Sequence, residues 1–348
     1  MITIKDIARQ AGVSIGTVDR VLHKRGRFSP ETARKIATIA GKTGYSPNVL
    51  ARSLSLAKAY TFCAIIPKLT QDDTYWQLVA DGFSTGEEEF ARYSVRVRVF
   101  QHDRLSAGSF TTACSKALAA KPDGLILAPV SPRLVEAFVD RLPPSIPYVF
   151  LDSTLPDAAP LGFIGQDAFQ SGVLAAKLVR LTVRDPGIVG IMRIHPDDLH
   201  IKERASGFEA GMAGCSGLRT VQHDFDGDIL STQSRQGILR ALRQTPDLRA
   251  LFVTNAHTHV IARAAIKAGL GHPVSVVGYD LVPQNVELVR TGAIDFLISQ
   301  RPEFQGSQSV RMLFRGVVLQ EPCARHTFVP MDIVTRENLE YYLPVPQQ

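Results

Sequence analysis

A small all-α helix-turn-helix head, a hinge helix, and an α/β core of two doubly wound parallel-sheet lobes is the fold class predicted by this 348-residue sequence. Charge is the first reason. Residues 1–58 hold eleven Lys or Arg against three Asp or Glu, whereas the whole chain is only +6, so the remainder is near neutral. Such asymmetry points to a polyanion partner at one end of the molecule. The second reason is periodicity: short helical patterns in the basic segment give way to apolar runs alternating with amphipathic helices. Length is the third, because the stretch after residue 58 is too long for one sheet of such units.

The head takes residues 1–46. Thr3 caps a helix over Lys5–Gln10 that carries Ile4, Ile7, Ala8 and Ala11 on one face. Gly12 breaks it, and Ser14 caps a second helix, Ile15–His23, with Val18, Val21 and Leu22 inward. Pro30 and Glu31 open a third helix, which runs to about Gly41. Two short helices joined by Ala11-Gly12-Val13-Ser14, with a third in support, make a helix-turn-helix whose second helix enters the major groove. At its leading end, Arg20 can pair bidentately with guanine and Ile15 can touch a thymine methyl. Gly16 allows close backbone approach. Asp19 either accepts from a cytosine amino group or orients Arg20. Ser14, Thr17, Lys24, Arg25, Arg27, Ser29 and Tyr45 read as phosphate contacts.

Residues 47–58 read as a hinge. Pro47 starts a glycine-free, helix-compatible stretch from Asn48 to Leu56. The runs Thr3-Ile4-Lys5-Asp6-Ile7-Ala8, Ala11-Gly12-Val13-Ser14 and Thr17-Val18-Asp19-Arg20-Val21-Leu22 are similar to the DNA-binding head of the lactose-repressor (LacI/GalR) family. Gly44-Tyr45-Ser46-Pro47-Asn48 and Ala51-Arg52-Ser53-Leu54 extend the resemblance into the hinge. The resemblance implies a hinge helix that folds on DNA in a dimer, with Leu54 as a minor-groove wedge and Ala51 beside it. The family usually has Ser at the position of Asp19, a departure that bears on which operator is read.

Residues 59–348 read as the core. Candidate strands are Phe62–Ile66, Val95–Phe100, Gly124–Ala128, Tyr148–Leu151, Ile188–Met192, Thr220–Gln222, Ala250–Thr254 and Val274–Val277. Helices fall between them, among them Leu105–Ala119, Gln166–Leu181, Gly207–Ala213, Leu230–Leu242 and Val260–Ala268. The lobes are expected to divide near Pro156–Gly165. Open α/β sheets bind ligands at the carboxyl ends of their strands. The residues there are Asp72, Asp73, Tyr75 and Trp76, then Asp152, then His200, Lys202 and Arg204, then Phe225, Asn255, Asp280 and Gln300. Helix or loop capping is the plain alternative for Asn255 and Asp280.

The core resembles that of the same family and of the periplasmic sugar-binding proteins, on Lys202-Glu203-Arg204-Ala205-Ser206-Gly207-Phe208, Val276-Val277-Gly278-Tyr279-Asp280 and Leu297-Ile298-Ser299-Gln300. The resemblance places ligand contacts on Asp72 (or its neighbour Asp73), Trp76, Asp152, Arg204, Phe225, Asn255, Asp280 and Gln300, with Tyr75 alongside. Paired carboxylates and amides suit vicinal hydroxyls, and Trp76, the only Trp, offers a flat face for a sugar ring. Few cations among these acids favour a small neutral sugar or polyol over a sugar phosphate.

The four cysteines have no CxxC spacing, so neither a metal site nor a redox pair is expected. His257 and His259, two apart, are expected on different sides of a helix. No G-x-G-x-x-G follows a strand, and neither a P-loop nor a nucleophile elbow is present, so no cofactor and no catalysis are expected. No apolar run approaches the length of a membrane span, and Met1–Asp6 lacks a signal-peptide pattern, so a cytoplasmic protein is expected. These readings converge on a ligand-controlled transcription regulator, in first place a repressor. It would act as a homodimer on a near-palindromic operator. The alternatives are a sugar-binding protein serving transport, or a sugar-modifying enzyme, with an appended head.

Overall fold

The computed structural model describes residues 4–22, 26, 28–43 and 58–343. The chain forms two compact units, Met1–Lys58 and Ala59–Gln348.

In the first unit, α1 (Ile4–Ala11), α2 (Ile15–Leu22) and α3 (Pro30–Thr43) bury Ile7, Ala8, Ala11, Val18 and Ile36 together. Gly12, at φ 69°, ends α1 in the left-handed conformation, and Val13 N–H closes back on Ala8 C=O at 3.1 Å. That is the physical basis of the tight turn, since glycine takes this conformation without a Cβ clash. Ser14 Oγ then accepts from Thr17 N–H at 3.1 Å and caps α2.

The second unit holds two six-stranded sheets. The first comprises β1 (Tyr60–Pro67), β2 (Val95–His102), β3 (Gly124–Leu127), β4 (Tyr148–Leu151), β5 (Gly162–Gly165) and β11 (His326–Phe328), in the order β11-β5-β4-β3-β1-β2. All its pairs are parallel. The helices α4 (Tyr75–Glu89), α5 (Ala107–Ala119), α6 (Pro132–Val139) and α12 (Pro302–Leu313) belong to this lobe.

The second sheet comprises β6 (Gly187–Ile194), β7 (Leu218–Phe225), β8 (Leu248–Val253), β9 (Ser275–Tyr279), β10 (Phe296–Ser299) and β12 (Asp332–Val334), in the order β12-β10-β9-β8-β6-β7. Only its β12 edge runs antiparallel. Its helices are α7 (Ala168–Thr182), α8 (Leu199–Met212), α9 (Thr232–Arg243), α10 (Thr258–Ala268) and α11 (Pro283–Thr291). Core clusters lie on both of its faces. Val189, Ile191, Phe208 and Phe252 are on one side, and Met192, Leu251, Ile261 and Val289 on the other. Burial on both faces explains why its central strands read as near-continuous apolar runs.

The expected division near Pro156–Gly165 captures only one of three crossings. The chain passes between lobes at Gly165–Ala168, returns at Ser299–Pro302, and crosses again at Phe328–Asp332. Residues 302–328 therefore complete the first lobe, although they follow the whole of the second sheet. Gln166 joins the three crossings: its Nε2 donates to Ser299 C=O at 2.8 Å and to Pro330 C=O at 3.3 Å.

Candidate functional site

In each sheet the strand order reverses beside its first strand, next to β1 and next to β6. Such switch points open a crevice at the carboxyl ends of the strands. One cavity occupies that position and draws on both lobes. Its walls are Asp72, Tyr75, Trp76, Arg104, Val130 and Asp152 from the first lobe, and Asp198, His200, Ile201, Arg204, Asn255, Ala256, Asp280 and Gln300 from the second lobe and the Ser299–Pro302 crossing. The free space is about 30 Å³, room for about one water. A larger groove, about 370 Å³, lies on the second lobe alone, along α9 and α10.

Of the residues read from the sequence, Asp72, Tyr75, Trp76, Asp152, His200, Arg204, Asn255, Asp280 and Gln300 meet in this cavity. Phe225 does not. It ends β7, an edge strand, and its ring packs onto the apolar core of the second lobe. Lys202 is exposed and reaches Asp197 at 3.5 Å. Two polar wall residues had no role in the sequence reading, Arg104 and Asp198, and neither had Asn285, which lies behind the wall.

The polar groups interlock. Asp72 Oδ2 accepts from Trp76 Nε1 at 2.7 Å and from Arg104 Nη1 at 2.5 Å. The second amino group of Arg104 reaches across to Asp198 Oδ2 at 2.6 Å, so one buried guanidinium ties the lobes together. Tyr75 O–H donates to Asp152 Oδ1 at 2.7 Å. In the second lobe, Arg204 donates to Thr254 C=O at 2.7 Å and to Gln300 Oε1, and lies 3.9 Å over the Tyr279 ring. Gln300 in turn donates from Nε2 to Asp280 Oδ2 at 2.6 Å and from N–H to Oδ1 at 3.1 Å. Asp280 is thus no helix cap, because α11 begins only at Pro283. Asn255 does serve a local turn, accepting from His257 N–H at 3.1 Å. Asn285, fully buried, donates to the carbonyls of Ala256, Tyr279 and Asp280 and so fixes two of the wall loops.

Burial alone would raise the Asp72 carboxyl, but Arg104 beside it holds it well below the usual range. Burial pushes Asp198 and Asp280 up to about 7, against Arg104 in the first case and Gln300 and Arg204 in the second. Asp152 is raised by burial as well. His195 falls to about 3 and His200 well below its ordinary value, both through burial. His257 and His259 converge, contrary to the expectation from their spacing: both reach Asp73 Oδ2, at 3.4 and 3.5 Å. His257 precedes α10, so the rotation per residue of a helix does not separate it from His259.

The first unit presents α2 with Ser14, Ile15, Gly16 and Arg20 exposed and Thr17 and Asp19 half-buried. Arg20 Nη2 donates to Thr17 Oγ1 at 3.3 Å, which steers the guanidinium along the helix face. Ser29 caps α3, accepting from Thr32 N–H at 3.1 Å. Thr3, Lys24, Arg25, Arg27, Tyr45, Ala51 and Leu54 lie outside the described residues.

Residues 63–317 match the periplasmic binding protein domain family, and residues 3–48 match the bacterial regulatory proteins of the lacI family. The ribose operon repressor of Bacillus subtilis is 22% identical over 97% of this chain and 98% of its own length. The sucrose operon repressor of Klebsiella pneumoniae is 32% identical, over 45% of this chain and half of its own. A crystal structure of a LacI transcriptional regulator from Bacteroides fragilis superposes with a TM-score of 0.74 at 26% identity, covering 82% of this chain and 100% of that one. A glucose-galactose binding protein from Geobacillus stearothermophilus shares the fold, with a TM-score of 0.69 at 22% identity over 81% of this chain and 99% of that one.

Proposed function

Because this chain belongs to the periplasmic binding protein domain family and carries a lacI-family regulatory head, we propose that it is a DNA-binding transcriptional repressor whose hold on its operator is governed by a small neutral sugar or polyol bound between the lobes. One observation carries the ligand reading: carboxylates and amides from both lobes converge on a single cavity beside Trp76, the arrangement that vicinal hydroxyls need. Neutrality follows from the charges. Asp72, Asp152, Asp198 and Asp280 outnumber Arg104 and Arg204, and both guanidiniums are already bonded within the protein. A phosphate would meet carboxylates with no unclaimed cation to receive it.

The head supplies the second half of the reading. Arg20, Ile15, Gly16 and Asp19 face base edges, and Ser14, Thr17 and Ser29 face phosphates, joined by Thr3, Lys24, Arg27 and Tyr45. Leu54 and Ala51 would take the minor groove. A homodimer in the cytoplasm would present two heads to a near-palindromic site. Effector and operator must then alter each other's affinity by the same factor. The reading is of a sensor, not of an enzyme.

Selection of bound sequences from random duplexes, followed by a thermal-shift screen of neutral sugars, polyols and sugar phosphates, tests this. The expected result is a palindromic consensus and a neutral polyhydroxyl ligand that changes affinity for it. No selected sequence, or a ligand that is turned over, would overturn the proposal.

A further inference from the structure

The loop after β1 holds three consecutive non-glycine residues in the left-handed region: Asp72 at φ 51°, Asp73 at 52° and Thr74 at 70°. This backbone is unfavourable for any residue with a Cβ, and a run of three persists only where contacts elsewhere hold it. Asp72 is held inside the cavity by Trp76 and Arg104. Asp73 is not part of the cavity wall. Its carboxylate enters the second lobe between His257 Nε2 at 3.4 Å and His259 Nε2 at 3.5 Å, and the side chains of all three are less than a tenth exposed. Asp73 Oδ2 accepts no hydrogen bond among the described residues. The separations are a few tenths of an ångström beyond hydrogen-bond range. A slight approach of the lobes would complete two N–H···O bonds, and parting would abolish both contacts.

The same frame holds the cavity. Asn285 Oδ1 accepts from His259 N–H at 2.8 Å, while its amide donates to the carbonyls of Tyr279 and Asp280. On the other side, Asp73 is bonded in sequence to Asp72. Each lobe therefore couples one cavity residue rigidly to one half of the Asp73 contact.

We propose that Asp73, His257 and His259 form a closure latch between the lobes, in which Asp73 is a positioning residue that sets the left-handed turn and so aims Asp72 and Trp76 at the effector. This rests on the reading above that a ligand bound between the lobes governs the hold on the operator, and takes closure of the lobes about that ligand as the movement that carries the signal. It adds that the protein's own side chains, outside the ligand's reach, set how readily the lobes close.

Spin labels at Lys116→Cys in the first lobe and Arg240→Cys in the second, with Cys215 and Cys323 changed to Ser, report lobe separation in the full chain. Asp73→Asn, and separately His257→Gln with His259→Gln, are expected to shift the distance distribution to longer values while each variant keeps a cooperative thermal transition. Combining them should lengthen it no further, because both remove one contact. An unchanged distribution, or a shift that doubles on combination, would sink the latch. Where one variant fails to fold, the other reports on the same contact from the opposite lobe, and collapse of both counts against a latch separable from the fold. Neither effector nor DNA is needed, so failure here leaves the sensor reading intact, and a failed ligand screen leaves the latch intact.

Discussion

Arg204 shows how much a single buried side chain can organise. It is 1% exposed, satisfies Thr254 C=O and Gln300 Oε1, and is the principal cation acting on Asp152. Arg204→Gln would strand a carbonyl and leave buried acids without it, at a cost of about 3–5 kcal/mol. Urea denaturation of the two proteins checks this. Titration of His259 offers a second test. Burial, and then His257, lowers its pKa to about 4, so the folded protein keeps the ring neutral while the unfolded chain protonates it near its ordinary 6.5. The unfolded state then binds more protons below that value, and stability is lost as pH falls from 6.5 towards 4. Asp198 and Asp280, raised to about 7, act oppositely, losing stability as pH rises towards 7, so the His259 effect is read by difference. His259→Gln should cost about 1–2 kcal/mol less relative to the parent at pH 5 than at pH 7.

Nine wall residues were legible because the strand-end rule needs only a strand and the polar residue after it. Arg104 and Asp198 were not. Arg104 follows β2, an edge strand whose Arg/Val alternation hides the loop's role, and nothing in sequence announces a partner ninety-four positions away. Phe225 misled for the complementary reason: an aromatic at a strand end also serves as core where the strand is an edge.

Among the elements, α4, α6, α11 and α12 were not read from the sequence, and for α4 and α12 glycine is why. Gly82 and Gly86 in α4 and Gly306 in α12 look like breakers, but they are what lets the two helices touch. A Cβ on Gly82 would sit 2.0 Å from Glu303 C=O, against backbone that has no rotamer to yield. Gly82→Ala should therefore destabilise by about 1–3 kcal/mol. Gly237, inside α9, meets nothing within 4 Å, so Gly237→Ala should stabilise by about 0.5–1 kcal/mol through helix propensity alone. Opposite shifts in melting temperature from one substitution type would check both; a shared sign would refute the packing argument. The strands β1, β3, β4, β6, β8 and β9 were legible as apolar runs, and the edge strands β2 and β7 were read as well, although polar residues alternate along them. By contrast, β11 and β12 are three-residue edges with too little pattern to show.

At the scale of the whole molecule, the charge asymmetry is the clearest message of the sequence. The +8 carried by residues 1–58, if all of it meets phosphates, predicts that affinity for a duplex falls about 10⁴-fold between 50 and 200 mM salt. Fluorescence anisotropy on a selected duplex measures the slope, and a flat slope would remove the polyanion reading. The return of residues 302–328 to the first lobe was not legible, because hydropathy marks strands but not the sheet they join. The three crossings have a mechanical consequence. One covalent link leaves two bodies free to bend, twist and slide; three side by side, stitched by Gln166, leave rotation about a single line as the soft coordinate. Binding energy spent at the cavity is thereby channelled into one movement, and even a nick in any one crossing would leave that axis defined by the other two.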